Sequence, residues 1–406
     1  MPNPFKVATQ VKKKKLTQRE RESRMQRFIL LTGTVVIVSV IALVSSGYYF
    51  TTYRPLHEIV LRINGQEYDM AYYVSALKFF GTNQDIIELL EQNELIRQAA
   101  DKLGISVTDD EAKEEIGKRN IPLNDVNVTF IKAEILANKM LDEYFDDKAP
   151  ISEVQREVMG MFLEDEVQAK EIRDRILAGE DYKALAAQYS LDKASKDASG
   201  YLDWHPKGAF TTAYSSSILD DVVFNGTVGE FSAPAPDSLK TKNTGYWLMK
   251  LVTREDEEAH VMAILLPDRT TANKTLARLE AGEDFITVGK EVSQMPGAKD
   301  NGGDLGTIKK GERGVVFDDF AFKPEVAPGT LSGVIRDDQV TTRGGYWLVK
   351  VLAEDKDKTL SQTDHDSLRD RLYYDWVASL WADQNNKIEA PITDEQKVWA
   401  INQSKK

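Results

Sequence analysis

Two segments of this chain repeat the same ordered series of short motifs, about 100 residues apart. The sequence LAGEDY at 177–182 recurs as EAGEDF at 280–285, and GYWLMK at 245–250 recurs as GYWLVK at 345–350. Stacked solenoid repeats are roughly 20–45 residues long, whereas a spacing of about 100 residues matches the size of a small domain. We therefore expect two tandem domains of the same fold.

The order of elements within each copy predicts the fold class. Each copy is read as a strand, two helices, a Gly-rich turn, a short helix and a final strand, which is an α+β architecture with a small antiparallel sheet. The first copy is expected at 151–256 and the second at 257–357. The acid-rich segment 255–258 is expected to be a solvated inter-domain linker, and 354–358 a second charged linker.

The N-terminal end combines a basic segment with a long uncharged one. Residues 1–27 hold nine Lys/Arg and two acidic residues, and residues 28–50 carry no charge. As a helix, the uncharged segment spans roughly 34 Å, enough to cross a bilayer core of about 30 Å. The positive-inside rule then places 1–27 in the cytoplasm and 51–406 outside the cell membrane, as a single-pass protein. A cleavable signal peptide is the alternative, although its apolar stretch is normally about 7–15 residues long.

Charge and composition exclude several classes of function. The net charge of −13 divides into +7 for 1–27 and −20 for 51–406, which argues against a general nucleic-acid binder. The absence of cysteine excludes disulfides, Cys-ligated zinc, iron–sulfur clusters and a thiol nucleophile. The four histidines are scattered, and the sequence contains no phosphate-binding loop or dinucleotide fingerprint. We expect no metal and no cofactor.

The segments on either side of the repeat are predicted to be helical. Residues 51–150 begin with a strand that ends in an Asn-Gly turn at 64–65, and a later helix opens with a capping box at 108–111. Residues 358–406 contain a long amphipathic helix at 363–386 with a wide aromatic face. That face must be buried, either on the helical N-terminal segment or on a partner in a membrane complex.

The second copy carries the clearest series of motifs. In order, these are AGEDF at 281–285, Ser293, GGDLG at 302–306, FDDFAF at 317–322 and GY at 345–346. In order and spacing they resemble the parvulin domain of peptidyl-prolyl isomerases, and the first copy keeps a decayed version of the series. This resemblance implies isomerisation of proline peptide bonds, with no cofactor.

Two stretches of the N-terminal helical segment carry a second resemblance. INGQEYDMAYY at 63–73 and LIRQAADKLGISVTDDE at 95–111 are similar to the chaperone domain of SurA/PrsA-type foldases. The resemblance implies that the partners are unfolded or proline-containing exported polypeptides, and that the last helix folds back on the N-terminal domain.

Active parvulins line their proline pocket with two facing histidines, a Cys or Asp, and a Met/Phe pair, and most of these are replaced here. The last-strand histidine corresponds to Trp247 in the first copy and to Trp347 in the second. The Cys/Asp position is Asp192 in the first copy and Met295 in the second. Asp192 is thus the one retained polar candidate for catalysis, unless it is a helix-end or turn residue.

The remaining pocket positions are apolar. The first-strand histidine falls near Gly160 and Ala263, and His260 is expected on the opposite strand face from Ala263. The side chains expected to bind peptide are those at the family's pocket positions: Trp247, Trp347, Phe317, Phe322, Met295, Leu219 and Phe224. Aromatic side chains carry much of the energy of recognition, so the two tryptophans either form a peptide groove or fill a core.

Three functions remain open from the sequence. The first is an extracytoplasmic peptide-binding folding factor whose isomerase activity is weak or lost. The second is an active isomerase with a rearranged site around Asp192. The third is a non-enzymatic scaffold subunit that uses the aromatic face at 363–386.

Overall fold

The computed structural model describes residues 18–82 and 85–405. They form two compact units: the first joins the chain up to Met140 with Asp375–Lys406, and the second runs from Leu141 to Tyr374. Most of the basic segment predicted at 1–27 lies outside the described residues.

The described chain combines helices and strands in an α+β arrangement with small antiparallel sheets. The helices are α1 Gln18–Tyr48, α2 Arg54–Leu56, α3 Met70–Phe80, α4 Ile86–Lys102, α5 Asp109–Arg119, α6 Asp125–Lys139, α7 Glu166–Leu177, α8 Tyr182–Tyr189, α9 Lys193–Asp197, α10 Ala209–Tyr214, α11 Leu219–Asn225, α12 Arg269–Glu280, α13 Phe285–Val292, α14 Ala298–Asn301, α15 Val315–Ala321, α16 Gln362–Ala382 and α17 Asp394–Ser404. The strands are β1 Ile59–Ile63, β2 Gln66–Asp69, β3 Ser152–Leu163, β4 Tyr201–Pro206, β5 Ala235–Pro236, β6 Thr241–Lys242, β7 Gly245–Glu255, β8 Glu258–Leu266, β9 Asp304–Lys309, β10 Ile335–Asp337, β11 Thr342–Arg343, β12 Tyr346–Thr359 and β13 Ile388–Glu389.

Helix α1 carries the uncharged N-terminal segment. Its apolar side chains are exposed, Leu30, Ile37 and Leu43 among them. The apolar run Leu30–Leu56 is long and apolar enough to cross a membrane, judged by length and composition.

The first unit has a three-stranded sheet in the order β13-β1-β2. Asn64 and Gly65 join β1 to β2 with φ angles of 51° and 89°, which a tight two-residue turn requires. The predicted hairpin is therefore confirmed. The chain returns from far downstream to complete this sheet, because Ile388 of β13 pairs with Ile63 of β1.

The C-terminal part of the chain helps to form the core of the first unit. Leu380 and Trp381 from the end of α16, together with Trp399 of α17, pack on a buried cluster that includes Leu61, Met70 and Leu77. This part of the aromatic face is therefore buried within the first unit, which is the simpler of the two alternatives predicted for it.

The second unit contains two four-stranded sheets whose last strands are exchanged between the sequence repeats. One sheet has the order β4-β3-β12-β5 and the other the order β10-β7-β8-β9. Strand β12, from the second copy, thus pairs with β3, the first strand of the first copy. Strand β7, from the first copy, pairs instead with β8, the first strand of the second copy.

The exchange follows from the short connection between β7 and β8. Only Asp256 and Glu257 separate the two strands, and Asp256 has a φ of +48°. Antiparallel strands joined by two residues form a hairpin, so β7 pairs with its neighbour in sequence and leaves β3 for β12. The segment 255–258 is thus a hairpin turn rather than a solvated linker, and 354–358 lies inside β12.

The predicted division at residue 256 therefore does not separate two self-contained sheets. We call residues 152–236 with 346–359 the outer domain, and residues 245–337 the nested domain. The connections into and out of the nested domain run side by side as β6 and β11, with Lys242 opposite Thr342.

Each of these domains has two core layers, one on each face of its sheet. In the outer domain, α10 and α11 cover the face that bears Phe162 and Trp347, and α7 and α8 cover the face that bears Met161 and Leu348. In the nested domain, α15 covers the Trp247 face and α12 and α13 cover the other.

Candidate functional site

The strand exchange decides which predicted site residues meet. Trp347 lies in the outer domain with Leu219 and is bordered by Phe224, whereas Trp247 lies in the nested domain with Phe317. Trp347, rather than Trp247, is therefore the last-strand residue of the site that contains Asp192.

In the outer domain, the place of the family's proline pocket is filled by buried side chains. Trp347, Leu219 and Phe162 are each 0% exposed. The rings of Trp347 and Phe162 lie 5.2 Å apart at 48°, and Tyr214 meets Trp347 edge-on at 6.3 Å. Trp347 and Leu219 therefore act as core residues here and offer no surface for a proline side chain. Phe224, at the border of this core, is half-buried.

Asp192 is fully engaged in structural contacts. Its carboxylate accepts a hydrogen bond from the backbone N–H of Ser195 at 2.7 Å, as the N-cap of α9. It also forms an ion pair of 2.8 Å with Lys240, and the two side chains are 10% and 6% exposed. A buried pair of this kind holds both charges in place, because either one alone would be strongly destabilising. Asp192 is thus a helix-end residue, the structural alternative to catalysis.

Lys240 occupies the space above the outer-domain tryptophan. Its ammonium group lies 5.3 Å from the Trp347 ring and 5.5 Å from the Phe162 ring. It also donates to the carbonyl oxygen of Tyr214 at 2.6 Å. A cation over an aromatic face is favourable, and it is most so where water is excluded. Lys240 therefore covers the Trp347 and Phe162 rings with a cation.

Each last-strand tryptophan donates its indole N–H to a buried aspartate. Trp247 donates to Asp337 at 2.9 Å, and Trp347 donates to Asp237 at 3.3 Å. Both aspartates are buried, and Asp237 also accepts from the Ser216 hydroxyl at 2.6 Å. Our sequence interpretation missed these aspartates, although they stand 100 residues apart, like the GYW motifs of the two copies. The repeat itself could have identified them.

The corresponding centre of the nested domain is more open. Trp247 packs edge-on against Phe317, with centroids 5.0 Å apart at 70°. Met295 and Phe322, both predicted to bind peptide, are half-buried at the border of this core. This centre therefore presents some apolar surface. At the family's Cys/Asp position it has the thioether of Met295 in place of a polar group.

His260 lies away from the two tryptophan centres, that is, the clusters around Trp347 in the outer domain and around Trp247 in the nested domain. It is on β8 with Met262 and Ile264 on one face, whereas Ala263 faces Trp247 on the other. This confirms the predicted strand face. Its ring contacts Asp304 at 2.7 Å, so the histidine belongs to a surface pair rather than to the pocket.

The first unit contains a separate cleft of about 910 Å³, lined by strands β1 and β2, helices α3, α4 and α6 and the loop at 106–107. The Tyr68 and Tyr72 rings lie 5.0 Å apart along it, tilted by 40°, and the Tyr72 ring lies 5.2 Å from that of Phe130. Our sequence interpretation did not identify this cleft, because its residues are scattered over five elements and a loop.

A buried carboxylate lies at the floor of this cleft. Burial alone would raise the pKa of Glu94, but hydrogen bonds from Arg97, Gln98 and Tyr68 hold it below its usual value. The Tyr68 hydroxyl donates to Glu94 at 2.7 Å, and burial raises its own pKa. The cleft therefore combines aromatic surface with a fixed, fully hydrogen-bonded charge.

One group of acidic and histidine side chains in the second unit approaches the spacing of a metal site. Asp146, His365 and Asp366 have ligand atoms within 4.8 Å of one another. The guanidinium of Arg369 lies 3.7 Å from Asp146 and 3.3 Å from Asp366, so a cation already balances these carboxylates.

Comparison with known proteins gives the family. A family described as "PPIC-type PPIASE domain", that is, a peptidyl-prolyl isomerase domain, matches residues 133–235 and 246–355. The chain is 32% identical over 180 residues to the foldase protein PrsA of Caldanaerobacter subterraneus, covering 41% of this chain and 56% of that protein. It is 39% identical over 99 residues to PrsA of Geobacillus kaustophilus, covering 24% of this chain and 33% of that protein. The chain thus spans about half, or less, of the length of these curated relatives.

Solved structures are similar only loosely. The crystal structure of the peptidylprolyl isomerase PrsA from Bacillus anthracis superimposes with a TM-score of 0.32 and 13% identity, covering 79% of this chain and 95% of that one. A SurA-like chaperone structure from Campylobacter jejuni gives a TM-score of 0.16 and 16% identity, covering 69% of this chain and 91% of that one. The family assignment rests on the two matched segments, which together span half of the chain. The chain belongs to the PPIC-type peptidyl-prolyl isomerase family.

Proposed function

We propose that this protein is a membrane-anchored extracytoplasmic folding factor that binds unfolded exported polypeptides and has little or no isomerase activity. Helix α1 would anchor it, with residues 1–27 in the cytoplasm and 51–406 outside. The anchor is supported by the length and the exposed apolar surface of Leu30–Leu56. The folding role is supported by the family and by the PrsA relatives.

The observation that carries the loss of activity is the pair of Trp–Asp hydrogen bonds. A proline isomerase must stabilise a twisted amide against a barrier of about 18–20 kcal/mol, and each 1.4 kcal/mol or so removed is tenfold in rate. At the last-strand position, Trp247 and Trp347 direct their N–H groups to Asp337 and Asp237. These donors are therefore not directed toward a substrate amide.

Client binding would use the surfaces that stay partly open. In the nested domain these are the apolar surfaces of Met295 and Phe322 beside Trp247 and Phe317. In the first unit it is the cleft lined by Tyr68 and Tyr72, whose volume of about 910 Å³ is in the range of ligand sites.

An isomerase assay separates this proposal from the active-enzyme alternative. The full chain would be tested for acceleration of cis–trans exchange in a proline tetrapeptide, coupled to cleavage by a protease. We expect the uncatalysed rate. Turnover that is lost on D192A would instead support a rearranged site around Asp192, whereas turnover lost on W247A would locate it in the nested domain.

The scaffold alternative makes a different prediction about partners. A scaffold would co-purify from membranes with one stoichiometric partner, whereas a folding factor would release many unrelated exported clients. The burial of Leu380 and Trp381 in the first unit leaves less of the aromatic face for such a partner.

A further inference from the structure

A groove of about 520 Å³ lies in the second unit, beside the outer domain and outside both tryptophan centres. Its apolar lining comes from three elements and a connecting segment: Pro150, Val154 of β3, Phe224 of α11, and Leu368 and Leu372 of α16. Leu368 and Leu372 are four residues apart and thus share one face of α16. Phe224, predicted from the sequence to bind peptide, is therefore at an accessible surface, although not in the closed pocket.

The groove is open to solvent along its strand side. Val154 is 38% exposed, and Phe224 is half-buried with the Arg156 guanidinium over its ring at 5.4 Å. Volumes of about 300–1,000 Å³ are typical of sites that take a small ligand or a few side chains. A short extended polypeptide segment could place two apolar side chains here.

Two cations and one carboxylate also line the groove. Lys207 lies 3.9 Å from Asp221, which balances it weakly. Glu153 lies opposite Lys358 in the strand register, but the Lys358 ammonium lies over the Trp204 ring at 4.8 Å and not within ion-pair distance of the Glu153 carboxylate. Arg371 is different: within the described part of the chain, no carboxylate lies within 4.0 Å of its guanidinium, and its one hydrogen bond is a long one of 3.5 Å to the Lys207 carbonyl.

The backbone at Gly208 leaves the space that Arg371 occupies. Gly208 has a φ of +100°, and a Cβ added there would lie 1.8 Å from Nη1 of Arg371. The guanidinium therefore lies against the backbone beside an apolar groove, and the exposed Arg371 side chain keeps its other donors open to solvent. A guanidinium matches a carboxylate in a planar, two-bonded geometry, which makes a carboxylate its natural ligand.

We propose that this groove binds client segments in which apolar side chains lie next to a carboxylate, and that Arg371 forms an ion pair with that carboxylate. The inference rests on the proposed client-binding function. The carboxylate is that of an acidic side chain within the segment; a free C-terminus, which presents the same chemistry, is the alternative that the test distinguishes.

The test measures peptide affinity with the full chain in lipid nanodiscs. Fluorescent twelve-residue peptides with a central Leu-Leu-Glu, Leu-Leu-Gln or Leu-Leu-Lys and blocked ends are compared by anisotropy. A fourth peptide has Leu-Leu at a free C-terminal carboxylate and no acidic side chain. We expect the Glu peptide to bind at least about tenfold more tightly than the Lys peptide, because a charge-assisted pair replaces a repulsion.

Three variants and two controls examine the named contacts. R371E should reverse the preference, R371Q should abolish it, and V154D should weaken all four peptides. K274E makes the same charge change at an exposed site on α12, and I151D makes the same apolar-to-acidic change at a side chain that is 79% exposed and lies outside the groove. Both controls should behave as the unmodified chain, and thermal unfolding confirms that each variant is folded.

A second assay separates failure of the groove proposal from failure of the proposed function. Suppression of aggregation of a reduced, carboxymethylated protein reports client binding in general. If the chain suppresses aggregation but shows no preference for the Glu or free-carboxylate peptide, or if R371E and R371Q leave the preference unchanged, the groove proposal is overturned and the folding role stands. If the chain neither suppresses aggregation nor binds any peptide, both are overturned. Tighter binding of the free-carboxylate peptide than of the Glu peptide would overturn the assignment to an acidic side chain.

Discussion

Val349 of the second sequence repeat lies directly opposite Gly160 of the first, in register on adjacent antiparallel strands. In a pair of self-contained tandem domains, Met249 would occupy that place; instead, Met249 lies opposite Ala263. Each parvulin-like sheet is consequently built from both copies. Residues of β12 determine the centre of the outer domain, and residues of β7 determine that of the nested domain.

The exchange can be tested by engineered disulfides, since the chain has no cysteine of its own. Residues opposite each other on antiparallel strands have Cα atoms about 4.5–5.5 Å apart, within the range that a disulfide spans. Arg156 is opposite Glu354, so R156C/E354C should oxidise to an intramolecular disulfide. The matched control, R156C/R254C, places the second cysteine at the equivalent position of β7, which pairs with Ala259.

Tryptic mass spectrometry under non-reducing conditions would read the result. We expect cross-linked peptides from R156C/E354C only. Cross-linking of R156C/R254C in its place would show that each copy keeps its own last strand.

The buried Asp192–Lys240 pair should matter for stability rather than for catalysis. Removing one member leaves an unpaired buried charge, so D192A should lower the free energy of unfolding by about 3–5 kcal/mol. D192A/K240M removes both charges and should recover much of the loss. The control D284A removes an exposed N-cap of α13 and should cost much less. Urea unfolding checks these values; a D192A cost no larger than that of D284A would contradict the burial argument.

Lys242 predicts a pH dependence of stability. Burial lowers the pKa of its ammonium group to about 8, despite the nearby carboxylates of Asp268, Glu164 and Asp165. Its folded pKa thus lies below the unfolded value of about 10.5, so between these pH values the unfolded state binds more protons and stability rises with pH. Below pH 8, burial of the charged Lys242 ammonium group therefore lowers the free energy of unfolding by about 3 kcal/mol.

The variant K242M should therefore be more stable than the unmodified chain at pH 7. The gain should be about 2 kcal/mol, since the hydrogen bond from Lys242 to the Gly344 carbonyl is lost at a cost of about 1 kcal/mol. The difference should shrink as the pH rises from 8 to 10.5. Thermal unfolding at pH 7, 9 and 10.5 measures it, and a difference that does not vary with pH would contradict the pKa shift.

Single-cysteine variants test the membrane topology. T9C lies in the basic segment and K78C is an exposed position on α3. A membrane-impermeant maleimide added to intact cells that lack an outer membrane should label K78C only, and T9C should require permeabilisation, because basic segments stay cytoplasmic. Labelling of T9C in intact cells would contradict the predicted orientation.

Local features of the fold were predictable because the residues that fix them are adjacent in sequence. The Asn64-Gly65 turn is one example. Another is the capping box of α5, in which Thr108 and Glu111 satisfy each other's backbone N–H groups. The repeat and its motif order likewise predicted the family.

Strand pairing was not predictable from the strand sequences. GYWLMK and GYWLVK present the same alternation of side chains, so either strand can pair with β3 or β8 without exposing apolar surface. The length of the connection decides the pairing, and the two residues Asp256 and Glu257 were available to read in the sequence. The closure of the outer-domain centre could not be read in the sequence in this way. Lys240 and Asp237 contact Trp347 only because β12, from the second copy, pairs with β3 of the first.

Refolding of a protein whose slow phase is limited by proline isomerisation tests the central claim most directly. Light scattering and the rate of the slow phase are recorded in one sample, with and without the full chain in nanodiscs. Our account predicts less scattering and an unchanged rate constant, because the chain binds clients but its tryptophan centres do not act on the proline bond. A slow phase accelerated in proportion to the concentration of the chain would contradict it.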